Sequence, residues 1–273
     1  MQQVSRRKNI FRFVKVFLLL YSVIGIALFY LQGKLLFHPE NINTNYHYKF
    51  DTPFEDVNIP FNGTDTMNMV KFFPNDSVRK GVVIYFHGNM KNVERYAPFA
   101  KIFTKNGYEV WMPDYPGFGK STGEFTEKKL YEQATQVYKM AAGHYQKDSI
   151  IIYGKSLGTG IAAYVASRQP IKELILETPY YDIPSIVGAY AFMYPTQRMI
   201  KFKLPTWQFL DEVGVPVTIF VGTSDGVIRN SVSVKLKKYL KPGDAYIEVE
   251  GAGHNEVNIS AKYKTVMDSL LRN

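Results

Sequence analysis

The segment Gly154-Lys155-Ser156-Leu157-Gly158 sets a serine between an apolar run, Ile150 to Tyr153, and a stretch of small and apolar residues suited to a helix. A serine hydroxyl is a poor nucleophile on its own. A sharp strand-to-helix turn makes it useful by pushing it out of a sheet toward a base, with the strain of the turn held by the surrounding fold. The two glycines leave room where strand and helix backbones nearly touch. Leu157 brings its N–H to the helix N-terminus, where developing negative charge is favoured.

Such a serine needs an acid and then a histidine later in the chain. Of the five histidines, His38, His47, His87, His144 and His254, only His254 follows Ser156, in the loop Gly251-Ala252-Gly253-His254-Asn255 directly after a strand-like run. As general base it would take the Ser156 proton and return it to a leaving group. Among the aspartates, Asp225 is best placed, because Val217 to Val221 runs into Gly222-Thr223-Ser224-Asp225-Gly226 and sets a carboxylate just past a strand end. Asp211 and Asp244 precede strands, and Asp268 follows His254; Glu177 and Asp182 are the fallback acids. A tetrahedral intermediate needs two N–H donors. Leu157 offers one, and the loop after Phe86 offers the other at Asn89, with Met90 as its neighbour. His87 reads as a hydrogen-bonding loop scaffold, and Asp114 to Gly123 as a tight structural turn whose glycines lack the placement of a phosphate loop.

These residues need a frame, and the chain offers an alternation. Strands are expected over 55–60, 67–73, 81–86, 108–112, 149–153, 173–177, 217–221 and 245–249. Helices are expected from Met90 to about Lys105, from the cap Thr126 to about Gln146, and over 157–168, 230–240 and 258–271. Alternation of this kind predicts an α/β fold, a mainly parallel eight-stranded sheet with helices on both faces and ligands at the strands' carboxyl ends.

Ahead of this region, Phe13 to Leu31 is almost wholly apolar and close to the roughly 20 residues that span a bilayer. Lys15 can snorkel to the interface. Two readings stand, a transmembrane signal anchor and a cleaved signal; continuation of the apolar run past Gly25-Ile26-Ala27 favours the anchor. Cations precede the span and only Lys34 closely follows it, so residues 1–12 form a cytoplasmic tail and the rest lies outside. Residues 32–50 form a polar connector, and 51–273 the catalytic domain.

The net charge of +9 falls by five when Arg6, Arg7, Lys8, Arg12 and Lys15 are assigned to the anchor. No clustered basic and aromatic motif remains to support nucleic-acid binding. With no cysteine there is no disulfide and no thiolate metal site, and no metal or cofactor is implied. Asn62-Gly63-Thr64, Asn75-Asp76-Ser77 and Asn258-Ile259-Ser260 would be glycosylation acceptors in a eukaryotic secretory lumen.

From about Phe54 onward the chain resembles the α/β-hydrolase superfamily, and with its anchor it is similar to the small-lidded, membrane-anchored serine hydrolases. The matching pieces are His87-Gly88-Asn89, Asp114 to Ser121, Gly154 to Gly158, the Asp225 turn and Gly253-His254-Asn255. The resemblance implies a Ser156, Asp225 and His254 triad, no cofactor, and hydrolysis of carboxylic esters or thioesters through an acyl-enzyme, lipid-like acyl groups favoured. Its rivals are a peptidase using the same triad and a catalytically silent membrane scaffold. Residues 180–213 fall where such hydrolases carry a lid. Their rings, including Tyr181, Tyr190, Phe192, Tyr194, Trp207 and Phe209, either line an acyl slot or only pack the crossover onto the sheet. Oligomeric state is not legible.

Overall fold

A computed structural model describes residues 2–75 and 79–272. Strands β1 (His38–Pro39), β2 (Phe54–Phe61), β3 (Asp65–Phe72), β4 (Gly81–Phe86), β5 (Met90–Lys91), β6 (Tyr108–Pro113), β7 (Ile150–Lys155), β8 (Glu173–Glu177), β9 (Val217–Gly222) and β10 (Ala245–Val249) follow one another along the chain. Eight of them form one sheet in the order β10-β9-β8-β7-β4-β6-β3-β2, parallel except where β3 pairs with β2 and β6; β1 and β5 form a separate two-stranded ribbon. All eight expected strands are present, and the α/β-hydrolase fold is the one observed. Every residue of β4, β7, β8 and β9 is buried. Their β-branched and aromatic runs suit strands covered on both faces.

The helices are α1 (Gln2–Leu36), α2 (Val93–Tyr96), α3 (Lys101–Thr104), α4 (Glu127–Ala142), α5 (Gly158–Arg168), α6 (Ile183–Tyr190), α7 (Thr196–Met199), α8 (Thr206–Leu210), α9 (Asn230–Ser233) and α10 (Ala261–Arg272). On one face α4 and α5 bury Leu130, Val137, Ile161 and Val165. On the other, the α2–α3 region and α10 bury Val93, Phe103, Tyr263 and Met267. The logic of α4 is local: Leu130, Ala134, Val137 and Ala141 recur at helical spacing, and the Thr126 side chain accepts from the Lys129 N–H at the N-cap. It stops at Ala142, short of the expected Gln146, because Gly143 takes over the capping hydrogen bonds. The expected helix from Met90 to Lys105 is broken into α2, a 3-10 turn (Ala97–Ala100) and α3, with Pro98 at the start of the turn. The expected 230–240 helix is α9 followed by a 3-10 turn, Val234–Tyr239.

Helix α1 runs beyond the apolar segment at both ends, and its stretch Asn9–Leu36 is long and apolar enough to cross a membrane. The 32–50 stretch, expected as a polar connector, is partly built into the fold. β1 pairs in parallel with β5, and Ile42 donates its N–H to the Gly119 carbonyl. Of the three acceptor sequons, Asn62 is exposed in a turn, whereas Asn258 is buried with its amide toward Glu177, a setting that excludes a glycan. The third, Asn75-Asp76-Ser77, lies partly outside the described residues.

Candidate active site

β7 ends at Lys155, and Ser156 turns the chain into α5 with φ of 50°. That left-handed conformation costs a non-glycine residue on the order of 1–3 kcal/mol and persists only where neighbours fix it. The neighbours here are backbone. Ser156 N–H donates to the Glu177 carbonyl at 2.9 Å, and the Ser156 carbonyl accepts from Thr159 N–H and hydroxyl at 2.9 and 2.7 Å. A Cβ on Gly158 would overlap the Phe86 carbonyl, and one on Gly154 would lie 2.6 Å from the Gly158 carbonyl. Both flanking glycines are therefore required by close approach of β4, β7 and α5.

The loops after β7, β9 and β10 bring the three expected side chains together. His254 Nε2 lies 3.0 Å from Ser156 Oγ, and His254 Nδ1 lies 2.8 Å from Asp225 Oδ2. Asp225 Oδ1 is held by the N–H groups of Val227 and Ile228, each at 2.8 Å, which fixes the carboxylate and aims its other oxygen at the imidazole. A tautomer with its proton on Nδ1 donates to Asp225 and leaves Nε2 to accept from the Ser156 hydroxyl. All three groups sit at the carboxyl edge of the sheet.

The fallback acids are occupied elsewhere. Asp182 caps α6 by accepting from Ser185 N–H at 2.6 Å. Glu177 is fully buried, paired with the Lys155 ammonium and bonded by the Tyr153 hydroxyl; the Tyr263 hydroxyl stands 2.8 Å from that of Tyr153. Burial, reinforced by the Glu177 charge, pushes both tyrosines well above their ordinary range, so they stay protonated as donors. The network ties β7, β8 and α10 directly beneath the Ser156 turn. Sequence reading saw Lys155 only as a variable position of the motif; its pairing across two strands has no local signature.

Asn89 and Leu157 both line a cleft of about 350 Å³ that also contains Ser156. Neither backbone N–H donates to a protein acceptor among the described residues. Asn89 is clamped from the N-terminal side: its amide donates to the Leu36 carbonyl at 2.7 Å, and its own carbonyl accepts from His38 N–H at 3.0 Å. His87 is fully buried, with Nε2 3.1 Å from Asp114 Oδ1 and Nδ1 2.7 Å from the Gly88 carbonyl. It stands as loop scaffold, away from the Ser156 group.

The cleft wall is apolar. Ile183, Ile186 and Tyr190 come from α6, Val227 and Ile228 from the Asp225 turn, and Leu35 and Leu36 from the end of α1. The last pair was missed, although Leu35-Leu36-Phe37 resumes the apolar pattern after Gln32-Gly33-Lys34 and was visible as such. The aromatic lid divides in three. Tyr181 stacks on Trp207, and Phe209 packs edge-on to Tyr131 and Tyr164, all as crossover packing; Tyr190 faces the cleft; Phe192 is exposed and Tyr194 stacks on Tyr21 of α1. A wider hollow of about 700 Å³, lined by Lys49, Glu94 and Lys101, contains none of the Ser156 group.

Comparison with known proteins agrees with this fold. Residues 77–213, half of the chain, match the family described as serine aminopeptidase S33. The chain is 28% identical over 206 residues to alpha/beta hydrolase domain-containing protein aho-3 of Caenorhabditis elegans, covering 74% of this chain and 60% of that protein. It is 26% identical over 204 residues to an uncharacterized protein of Mycobacterium tuberculosis, covering 74% and 72% respectively. The match to alpha/beta hydrolase domain-containing protein 17C of Xenopus tropicalis is 28% identical and spans 58% of that protein. The chain thus spans about three fifths of the length of the nematode and frog relatives. Among solved structures, the Pyrococcus furiosus esterase Pf2001 superposes with a TM-score of 0.67 at 19% identity, covering 87% of this chain and 97% of that one. A cold-adapted esterase from an Arctic intertidal metagenomic library gives 0.63 at 16% identity, covering 84% and 97%.

Proposed function

The chain belongs to the serine aminopeptidase S33 family of the α/β-hydrolase superfamily, and from that premise we propose that it is a membrane-anchored serine hydrolase cleaving carboxylic esters or thioesters. The observation that carries the reading is the unbroken relay from Asp225 through His254 to Ser156, opening on an apolar cleft beside two free backbone N–H groups.

Ser156 Oγ attacks the acyl carbonyl while His254 Nε2 takes its proton. The tetrahedral oxyanion is held by the N–H groups of Leu157 and Asn89, with the N-terminus of α5 adding favourable potential. Collapse expels the alcohol or thiol, which receives the proton from His254, and leaves the acyl group on Ser156. Water then enters, gives its proton to His254, and the steps run in reverse to release the acid. Asp225 holds the imidazole in its working tautomer and stabilises the imidazolium.

An ester or thioester fits better than a peptide with a free amino terminus. An aminopeptidase must recognise a cationic amine, which calls for a carboxylate in the pocket. Among the described residues no Asp or Glu lines this cleft; its residues suit an acyl chain. α1 serves as a signal anchor, with residues 1–12 cytoplasmic, 13–31 in the bilayer and the 51–273 domain beyond it, because the cations cluster before the span.

The test is fluorophosphonate labelling of the detergent-solubilised chain, alone and as Ser156→Ala and His254→Ala, followed by acyl esters of graded length and amino-acid arylamides. Labelling lost in both variants, with esters turned over and arylamides not, is the expected result. A well-folded wild type that never labels would leave a silent scaffold as the better description.

A further inference from the structure

Helix α1 does not stand clear of the globular part. Its face at Tyr21, Gly25, Phe29 and Gln32 carries the tip and return of the lid. The Tyr21 hydroxyl donates to the Met193 carbonyl at 3.0 Å, and the Tyr194 hydroxyl donates to the Tyr21 carbonyl at 2.9 Å. The two rings stack at 4.5 Å with their planes 7° apart. Gly25 leaves room for Tyr194, since a Cβ there would lie 3.1 Å from that ring. Further along, Gln32 accepts from Lys201 N–H at 2.6 Å, and the Lys201 ammonium stands 4.9 Å over the Phe29 ring.

Depth follows from helix geometry. The apolar run ends at Leu31, and Tyr21 lies ten residues before that end. At 1.5 Å per residue this is about 15 Å, roughly half of a hydrocarbon core about 30 Å thick. A lid tip bonded to Tyr21 therefore lies at hydrocarbon depth wherever α1 spans. Its composition fits that place: Phe192 is 83% exposed and Met193 51%, on a segment with no charged side chain from Ile183 to Gln197. Backbone at that depth needs partners. The Met193 carbonyl has the Tyr21 hydroxyl, Ala191 N–H has the Val187 carbonyl, and Tyr194 N–H has the Ala191 carbonyl, which leaves the Phe192 and Met193 N–H groups as the tip's two donors without a protein acceptor among the described residues. Polar groups recur at the level of Gln32, Lys34 and Lys201, where headgroups begin, and the cleft wall at Leu35 and Leu36 follows within two turns.

We propose that the lid tip, residues 191–194, inserts into the bilayer beside α1 while Tyr190 stays docked on the Gly226–Val227 turn under the Arg229 guanidinium, so that the cleft opens at the lipid surface and takes esters or thioesters of long acyl chains from the leaflet that holds it. The inference rests on the anchored serine hydrolase reading above and names the substrate pool of that same site. The acyl chain would slide between the end of α1 and α6, and the scissile carbonyl would reach Ser156 without the chain crossing water.

The absence of cysteine makes the test direct. Phe192→Cys in the full chain gives a single thiol for an environment-sensitive fluorophore, and Lys147→Cys, before the amino end of β7 at the far edge of the sheet, gives the control. In phosphatidylcholine vesicles the label at 192 should emit as in an apolar medium and be quenched by doxyl-labelled lipid, and the label at 147 should do neither. Water-like, unquenched emission at 192 would overturn the proposal. Independently, Phe192→Glu should lower turnover of a long-chain ester embedded in vesicles by at least about tenfold, since a charge is costly in hydrocarbon. Hydrolysis of a short water-soluble ester should stay within about twofold, because Phe192 touches neither triad nor cleft. Equal rates on the embedded ester would count against insertion. Loss of the hydrolase reading itself would show differently, as no labelling of Ser156 and no turnover of either ester, and the fluorophore result would still decide whether the tip lies in lipid.

Discussion

Among the described residues two histidine–aspartate pairs stand at the same edge of the same sheet, and their surroundings differ. His254 and Asp225 stand 2.8 Å apart with His254 partly exposed and Ser156 Oγ 3.0 Å beyond it. His87 and Asp114 stand 3.1 Å apart with both side chains fully buried. The His87 ring packs 4.3 Å from that of Tyr115 and 5.0 Å from that of Tyr96, and both its nitrogens lie against protein acceptors. Asp114 Oδ1 also takes Val93 N–H at 2.9 Å and so fixes the start of α2. The lesson is that a base is made by what is left open. One pair has a nitrogen facing a hydroxyl beside an open cleft; the other has both imidazole nitrogens and Asp114 Oδ1 occupied by its own loops.

The largest expected effects test the open pair. Ser156→Ala or His254→Ala should each lower kcat on an acyl ester by about a millionfold, since the two act as one unit. The double variant should be no worse than either single one, and a double that fell much further would mean that they act separately. Asp225→Asn should cost about ten-thousandfold in kcat, with KM little changed, because the amide can present N–H to the imidazole and hold the wrong tautomer. Activity untouched by Asp225→Asn would transfer the acid role to Glu177 or Asp182, against their observed pairing with Lys155 and Ser185.

The closed pair should respond in the opposite currency. His87→Ala leaves the Asp114 carboxylate buried beside a void, so unfolding free energy should fall by about 2–4 kcal/mol. Denaturant titration measures that loss. The folded fraction should keep its kcat to within about tenfold, a range set by how far the adjoining loop shifts. A millionfold loss of kcat at full stability would erase the distinction between the pairs.

Legibility follows the same division. That Ser156, Asp225 and His254 come together was readable because each follows a strand-like run and sits in a glycine-rich turn, so local pattern and chain order carry the information. The eight strands were readable because their apolar runs are short and bounded. What was not legible is contact between segments distant in sequence. The pairing of Lys155 with Glu177, the division of the lid aromatics, and the entry of Leu35 and Leu36 into the cleft depend on how elements cross. Breaks in the helices were missed where one residue decides, Pro98 in the first and Gly143 in α4. The stretch read as connector failed for a different reason: polar residues at 38–42 signal exposure, and the backbone pairing that ties them to Met90 and Gly119 has no side-chain pattern.

Asn89 is where the two pairs meet, and it gives the smallest and sharpest test. It follows His87 and Gly88 in the loop that the closed pair holds, and it faces the cleft that the open pair serves. Its backbone N–H is the proposed oxyanion donor, while its side chain is bonded to the Leu36 carbonyl at the end of α1. Asn89→Ala keeps the donor and removes the clamp. The N–H should then wander by a fraction of an ångström, and kcat should fall about tenfold to a hundredfold, with KM for a short soluble ester little changed, because the oxyanion exists only on the way to the transition state. Stability should fall by about 1 kcal/mol, the worth of one hydrogen bond. A loss confined to stability would make the end of α1 a tether alone. A loss confined to kcat would make it part of the catalytic machinery, reaching Ser156 through a single amide.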